Sequence, residues 1–180
     1  MLGVVFTEFL EMVETTFSED MVDDIIDDTQ LESEGAYTAV GSYDHSEIVA
    51  LVSALSKRTE MPVDALIRAF GAHLFGQFVI RYASFFEGVT DIFAFLETVD
   101  GHIHKEVLKL YPSAELPSFN CERPDEQTLV MNYSSTRPFN ELAHGLIEGA
   151  AKHFEADVSI EVEVLPATDV NRARFTIRCN

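Results

Sequence analysis

Tryptophan is absent, cysteine occurs twice, and only 12 of 180 residues are lysine or arginine. Cys121 and Cys179 lie far apart and outside any CxxC or Cys/His cluster, so neither a disulfide framework nor a zinc site is signalled. Reduced, unreactive buried thiols are expected. Against 12 bases stand 31 acids, a formal net charge of -19. Such a field repels phosphate, which argues against nucleic acid and anionic lipid as partners and favours a basic one. No apolar run reaches the roughly 20 residues that cross a bilayer, and the opening MLGVVFTEF has neither a basic region nor a cleavage pattern. The expectation is a cytoplasmic protein without a membrane segment.

What is present is a core. The chain is 47% hydrophobic with 14 phenylalanines, and a length of 180 residues suits one domain. Folding buries on the order of 70% of the unfolded surface at this size, without help from disulfides or a structural metal. Acidity concentrates at the N-terminus, where residues 1–60 carry 14 acids against Lys57 and Arg58.

Helical spacing of Val5, Phe6, Phe9, Leu10, Val13 and Phe17 predicts an amphipathic first helix, with Glu8, Glu11 and Glu14 on its solvent side. Ser18, followed by Glu19 and Asp20, caps a short second helix, and residues 29–44 form a loop. A third helix is expected over Ser46 to Arg58 and a fourth over residues 62–82. Gly71 and Gly76 interrupt the fourth, so a break or a close contact is expected near Gly71. Val89 to Tyr111 reads as helix with Gly101 inside it and Pro112 ending it.

After Pro117 the pattern alternates. Ser118 to Cys121 and Thr128 to Tyr133 read as a hairpin around Arg123-Pro124-Asp125-Glu126. A helix from Pro138 to Phe154 and two strands, Val158 to Val164 and Arg172 to Arg178, flank the turn Pro166-Ala167-Thr168-Asp169. The fold class is α+β, a helical N-terminal half packed on a four-stranded antiparallel sheet with one crossing helix.

Two constellations carry chemistry. His102 shares its helix face with Lys105, Glu106 and Lys109, whereas His104 shares its own with Val107, Leu108 and Tyr111. His104 therefore faces the core, where an imidazole is either hydrogen-bonded or a metal ligand. Tyr133, Ser135 and Arg137 alternate and point one way if strand geometry continues, as anion-binding donors or as a polar strand face. No G-x-S-x-G elbow, phosphate loop or EF-hand spacing occurs, and Asp23-Asp24 and Asp27-Asp28 read as a solvated helix face. Phe70, Phe75, Phe78, Phe85, Phe86, Phe93 and Phe95 supply either a core or the wall of a flat cofactor.

Taken in order, His104, Tyr111-Pro112, Pro117, Tyr133-x-Ser135-x-Arg137 and Gly145-Leu146-Ile147-Glu148-Gly149 closely resemble the H-NOX family of haem-dependent nitric oxide and oxygen sensors. The opening Gly3-Val4-Val5-Phe6 matches too, and the resemblance covers essentially the whole chain, which is also similar to the haem domain of soluble guanylate cyclase. It implies a single domain over 1–180, with 1–60 a distal helical subregion, 61–180 the proximal helix and sheet, and haem b between the parts. His104 would ligate the iron, with His102 a neighbour. Tyr133, Ser135 and Arg137 would bind the propionates, and Pro117 would press on the porphyrin.

The resemblance places Val5, Phe9, Phe78, Leu142 and Leu146 on the distal wall, with Leu142 where oxygen-binding members have a tyrosine. None can donate a hydrogen bond. A donor to a partly charged ligand is worth about 1–3 kcal/mol, roughly tenfold to a hundredfold in affinity. A nitric oxide sensor without turnover is therefore expected, with an oxygen sensor, a haem enzyme or a haem-free anion-binding module as alternatives. Signalling would follow loss of the His104–iron bond and relaxation of the porphyrin against Pro117, with Gly71 and Gly101 as yielding points. Its output would pass to a separate effector, a histidine kinase or a cyclic-di-GMP enzyme.

Overall fold

Seven α-helices and four strands follow the chain in a computed structural model that describes residues 1–166 and 169–180. The helices are α1 (Gly3–Thr16), α2 (Glu19–Asp27), α3 (His45–Thr59), α4 (Val63–Arg81), α5 (Ile92–Thr98), α6 (His104–Leu110) and α7 (Asn140–His153). The strands are β1 (Ser118–Asp125), β2 (Thr128–Ser135), β3 (Val158–Leu165) and β4 (Asn171–Cys179). Of the expected turn between β3 and β4, Ala167 and Thr168 lie outside the described residues.

Local chemistry sets the helix starts. Ser18 Oγ accepts from the Met21 amide, Asp44 Oδ1 from Ser46 and Asp91 Oδ1 from Ala94, each satisfying a donor that a first helical turn leaves open. Phe6, Phe9 and Val13 of α1 join Ile25, Leu51, Leu55, Phe70 and Leu74 in an N-terminal core. Glu8 departs from the expected solvent side. It is fully buried, because α4 covers that flank of α1 and supplies Arg81 as its partner. Periodicity locates an apolar stripe but does not show how many neighbours a helix has.

The sheet runs β1-β2-β4-β3, antiparallel throughout. One face presents Leu129, Met131, Tyr133, Ala173, Phe175 and Ile177, all buried, to a second core that includes Phe75, Phe93, Phe95 and Ile147. On the opposite face Arg174 donates to Glu163 and Arg178 pairs with Glu161, the alternation of a sheet wet on one side. Arg123 and Pro124 belong to β1 and not to the turn, which shifts to Glu126 and Gln127. Proline is tolerated there because β1 is an edge strand whose register slips between Glu122 and Asp125.

Two further expectations are revised. The helix read over Val89 to Tyr111 begins only at Ile92 and is composite, with α5 passing into a π-helical stretch, Val99–Ile103, before α6. That stretch contains Gly101 and widens the turn just ahead of His104. By length and composition α4 is long and apolar enough to cross a membrane, contrary to the reading that no run qualified. Here it packs against α1, α3 and α7 and buries Leu66, Phe70, Leu74 and Phe75.

Gly71 marks a close contact, and α4 continues through it unbroken. A Cβ at Gly71 would lie 2.4 Å from the Leu142 carbonyl oxygen, and one at Gly145 would lie 2.0 Å from that of Arg68. The helices α4 and α7 thus meet backbone to backbone. Beside this crossing Arg68 donates twice to Glu141 Oε2, and His144, also on α7, is buried against the Phe175 ring.

We expect Gly71→Ala to lose about 1–3 kcal/mol in urea denaturation, because its methyl meets backbone. Gly101 has open space around it, so Gly101→Ala should be neutral or stabilising by up to about 1 kcal/mol; equal effects at the two sites would disprove the contact argument. Burial, reinforced by the Arg68 charge, holds the His144 pKa below its ordinary 6.5. The unfolded chain therefore takes up this proton first, so His144 costs no stability above pH 6.5 and an increasing amount as the pH falls below it. His144→Gln should show a flatter decline than wild type across that interval, and parallel pH profiles would reject the assignment.

Candidate functional site

His104 is the first residue of α6, set by the π-helical stretch so that its ring turns toward the start of the sheet. The side chain is 17% exposed, and Nδ1 is buried without a hydrogen-bond partner, 3.8 Å from Asp100 Oδ1. Asp100 Oδ1 accepts from the Phe119 amide at 3.0 Å, which fixes the carboxylate between β1 and the imidazole. Burial lowers the His104 pKa, only partly opposed by Asp100, so the ring is neutral at pH 7. With its proton on Nδ1, beside the carboxylate, the ring would offer the Nε2 lone pair as a ligand. His102 is exposed, as its spacing predicts, with its ring 6.0 Å from that of Phe85. Of the residues expected on the His104 face, Leu108 is instead exposed.

Pro117 is half-buried immediately before β1, and its backbone faces the His104 ring. Phe119 follows, with its ring 6.0 Å from His104 and 5.5 Å from Tyr133. Aromatic contact therefore leads from the imidazole to the donor group on β2.

Tyr133, Ser135 and Arg137 do come together, though not by continued strand geometry. The chain bends after Ser135, where Ser135 Oγ accepts from the Arg137 amide at 3.1 Å and the Tyr133 hydroxyl donates to the Arg137 carbonyl at 3.3 Å. Burial raises the Tyr133 pKa, so its hydroxyl remains a neutral donor. The Arg137 guanidinium donates to Glu115 Oε2 at 2.6 Å and to the Glu115 carbonyl at 3.4 Å, tying the segment that carries Pro117 to this bend.

Across the molecule, Val5 and Phe9 project from α1, Phe78 from α4, and Leu142 and Leu146 from α7. Phe9 is fully buried with its ring 5.3 Å from Phe70, and Leu146 packs against both cores at their seam. Val5 and Leu142, with Ile48 and Phe70, wall a cavity of about 30 Å³ whose lining is entirely apolar.

This donor set fits a haem. A largely buried imidazole with an unpartnered nitrogen near a carboxylate suits iron, and a hydroxyl, a second hydroxyl and a guanidinium suit two carboxylates. Among the described residues no group of three or more His, Cys, Asp or Glu is placed to hold a metal ion by itself. Sequence reasoning did not find Asp100, Glu115 or Phe119. Asp100 had a signal in its spacing, one helical turn before His104, whereas Glu115 and Phe119 become partners only once β1 is placed. Cys121 and Cys179 are half-buried, and burial raises the Cys121 pKa to about 11, keeping it a protonated thiol.

A family model described as haem-NO-binding matches residues 2–162. The H-NOX protein from K. algicida in its unliganded Fe(II) form is 36% identical and superposes with a TM-score of 0.93, covering 100% of this chain and 97% of that one. The S. oneidensis H-NOX protein in the Fe(II)NO ligation state is 26% identical with a TM-score of 0.91, covering 100% and 99%. The IWP-051-bound H-NOX from Shewanella woodyi in the Fe(II)CO state is 37% identical with a TM-score of 0.83, covering 100% and 95%.

Asp100→Ala removes the acceptor of the Phe119 amide and should cost about 1–2 kcal/mol in urea denaturation. Asp100→Asn, which keeps an acceptor oxygen, should recover most of that loss. Wild-type stability in Asp100→Ala would show that this bond does not hold the site together.

Proposed function

The chain belongs to the haem-NO-binding family of haem-based gas sensors, and from that premise we propose that it senses nitric oxide with ferrous haem b, excludes oxygen, and reports to a separate effector protein. The observation that carries the proposal is a largely buried imidazole at His104 whose Nδ1 lies unpartnered beside Asp100; the residues assigned to the distal wall have side chains of carbon alone. When bound, haem supplies a ferrous iron that takes a diatomic gas.

The chain's own groups do the rest. His104 would ligate the iron through Nε2, with the Asp100 carboxylate beside its other ring nitrogen. Tyr133, Ser135 and Arg137 would hold the propionates, and Pro117 would bear on the porphyrin. Val5, Phe9, Phe78, Leu142 and Leu146 keep water and hydrogen-bond donors from the gas. Oxygen as a ligand would rely on a protein donor worth about 1–3 kcal/mol, or tenfold to a hundredfold in affinity. Nitric oxide does not depend on such a donor, so a wall of carbon favours it. A relative in the Fe(II)NO state supports the same ligand.

The signal would begin with loss of the His104–iron bond. His104 sits where a π-helical stretch meets α6, so a change of force on its ring reaches backbone already held in a wide turn. By family resemblance the effector is a histidine kinase or a cyclic-di-GMP enzyme. A basic patch on it would complement the acidic N-terminal surface.

Absorption spectra of the purified ferrous protein test this directly. We expect no change of ligation on exposure to air, a clear change with nitric oxide, and loss of native ferrous ligation in His104→Ala. A stable oxygen complex would convert the reading to an oxygen sensor, and native ligation surviving in His104→Ala would refute the choice of histidine.

A further inference from the structure

Glu8 is a carboxylate with no exposed surface, and the gas-binding site has no direct use for it. Its Oε1 accepts from the Arg81 guanidinium, so the pair bridges α1 to the last residue of α4. Its Oε2 has no hydrogen-bond partner and lies 3.9 Å from His73 Nε2, which is likewise buried and unpartnered. The arrangement places the carboxylate between a guanidinium and an imidazole, all three held at the α1–α4 contact.

The position of this pair along the two helices is informative. Glu8 lies one turn after Val5 and directly before Phe9, and Arg81 lies one turn after Phe78. Those neighbours are three of the residues assigned to the distal wall. An apolar contact tolerates a small slide or rotation of one helix on another. A guanidinium on a buried carboxylate tolerates much less, because distance and angle are both restricted and an unpaired buried charge is strongly disfavoured.

We propose that Glu8 and Arg81 are positioning residues for the distal wall, their ion pair fixing the spacing of α1 from α4 and thereby the gap between Val5, Phe9 and Phe78. The inference rests on the haem reading above. His73 gives the second carboxylate oxygen a polar neighbour and helps hold Glu8 in one rotamer.

The test uses the ferrous holoprotein with carbon monoxide as probe, reading the infrared C–O stretching band, the rebinding rate after photolysis and the thermal midpoint. Glu8→Gln and Arg81→Met should shift or split the band and change the rebinding rate by about threefold or more. Arg81→Lys, which keeps the charge, should stay near the wild-type band. Arg58→Gln breaks an exposed pairing between α2 and α3, to Asp24 and Asp28, and should leave both the band and the midpoint near wild type. If Glu8→Gln fails to fold, the Arg81 variants decide the matter. Wild-type bands and rates in destabilised variants would overturn this inference alone, and failure of the wild-type protein to take up haem would overturn both.

Discussion

At the crossing of α4 and α7, side chains are excluded by backbone. A methyl group at Gly145 would stand 2.0 Å from a carbonyl oxygen of α4, and one at Gly71 would stand 2.4 Å from a carbonyl oxygen of α7, so neither position admits a Cβ without moving a helix. This constraint joins the two cores. The first half of α4 belongs to the N-terminal core through Leu66, Phe70 and Leu74, and Phe75 begins the core beneath the sheet. Leu142 and Leu146 descend from α7 on one side, while Ala143, Ile147 and Ala150 pack toward the sheet on the other. A displacement at the crossing therefore reaches the distal residues and the sheet together.

Electrostatics adds a second layer of constraint. In a chain with so few bases, arginines are placed where they join elements: Arg58 joins α3 to α2, Arg68 joins α4 to α7, Arg81 joins α4 to α1, and Arg137 holds the segment before Pro117. The exposed pairing of Arg58 with Asp24 and Asp28 contributes little to stability. The contact of Arg81 with a fully buried carboxylate is different, since removing either partner strands a charge. Of the remaining N-terminal acids Glu47 is buried, accepting from Tyr37, and most of the others are exposed, which gives the N-terminal part a strongly negative exterior.

Helix existence was legible from the sequence because an apolar stripe repeats every 3.6 residues, and strands because theirs repeats every two. Boundaries slipped where a local rule had a tertiary exception. Pro124 reads as a turn residue until β1 proves to be an edge strand, and Val89 to Tyr111 reads as one helix because a single wide turn barely disturbs the spacing. Glu8 was misplaced for a related reason, since a helix flanked on two sides has two inner faces. At the site, the contrast between His102 and His104 was readable from their helix neighbours. The bend that brings Arg137 back onto Ser135 and Tyr133 was not, because hydrogen bonds closing that bend leave no periodic trace.

The amino-acid order by itself determined the α+β class, the succession of elements and the histidine turned inward. All of these follow from side-chain type and short-range spacing, which act within a turn or a strand pair. Tertiary structure alone decided that Asp100 would be held between the Phe119 amide and the His104 ring, that Glu115 would hold Arg137, and that a glycine crossing would set α4 against α7. Those choices depend on which surfaces meet when two cores close, and contacts between residues far apart in sequence are settled only by the packing of the whole chain.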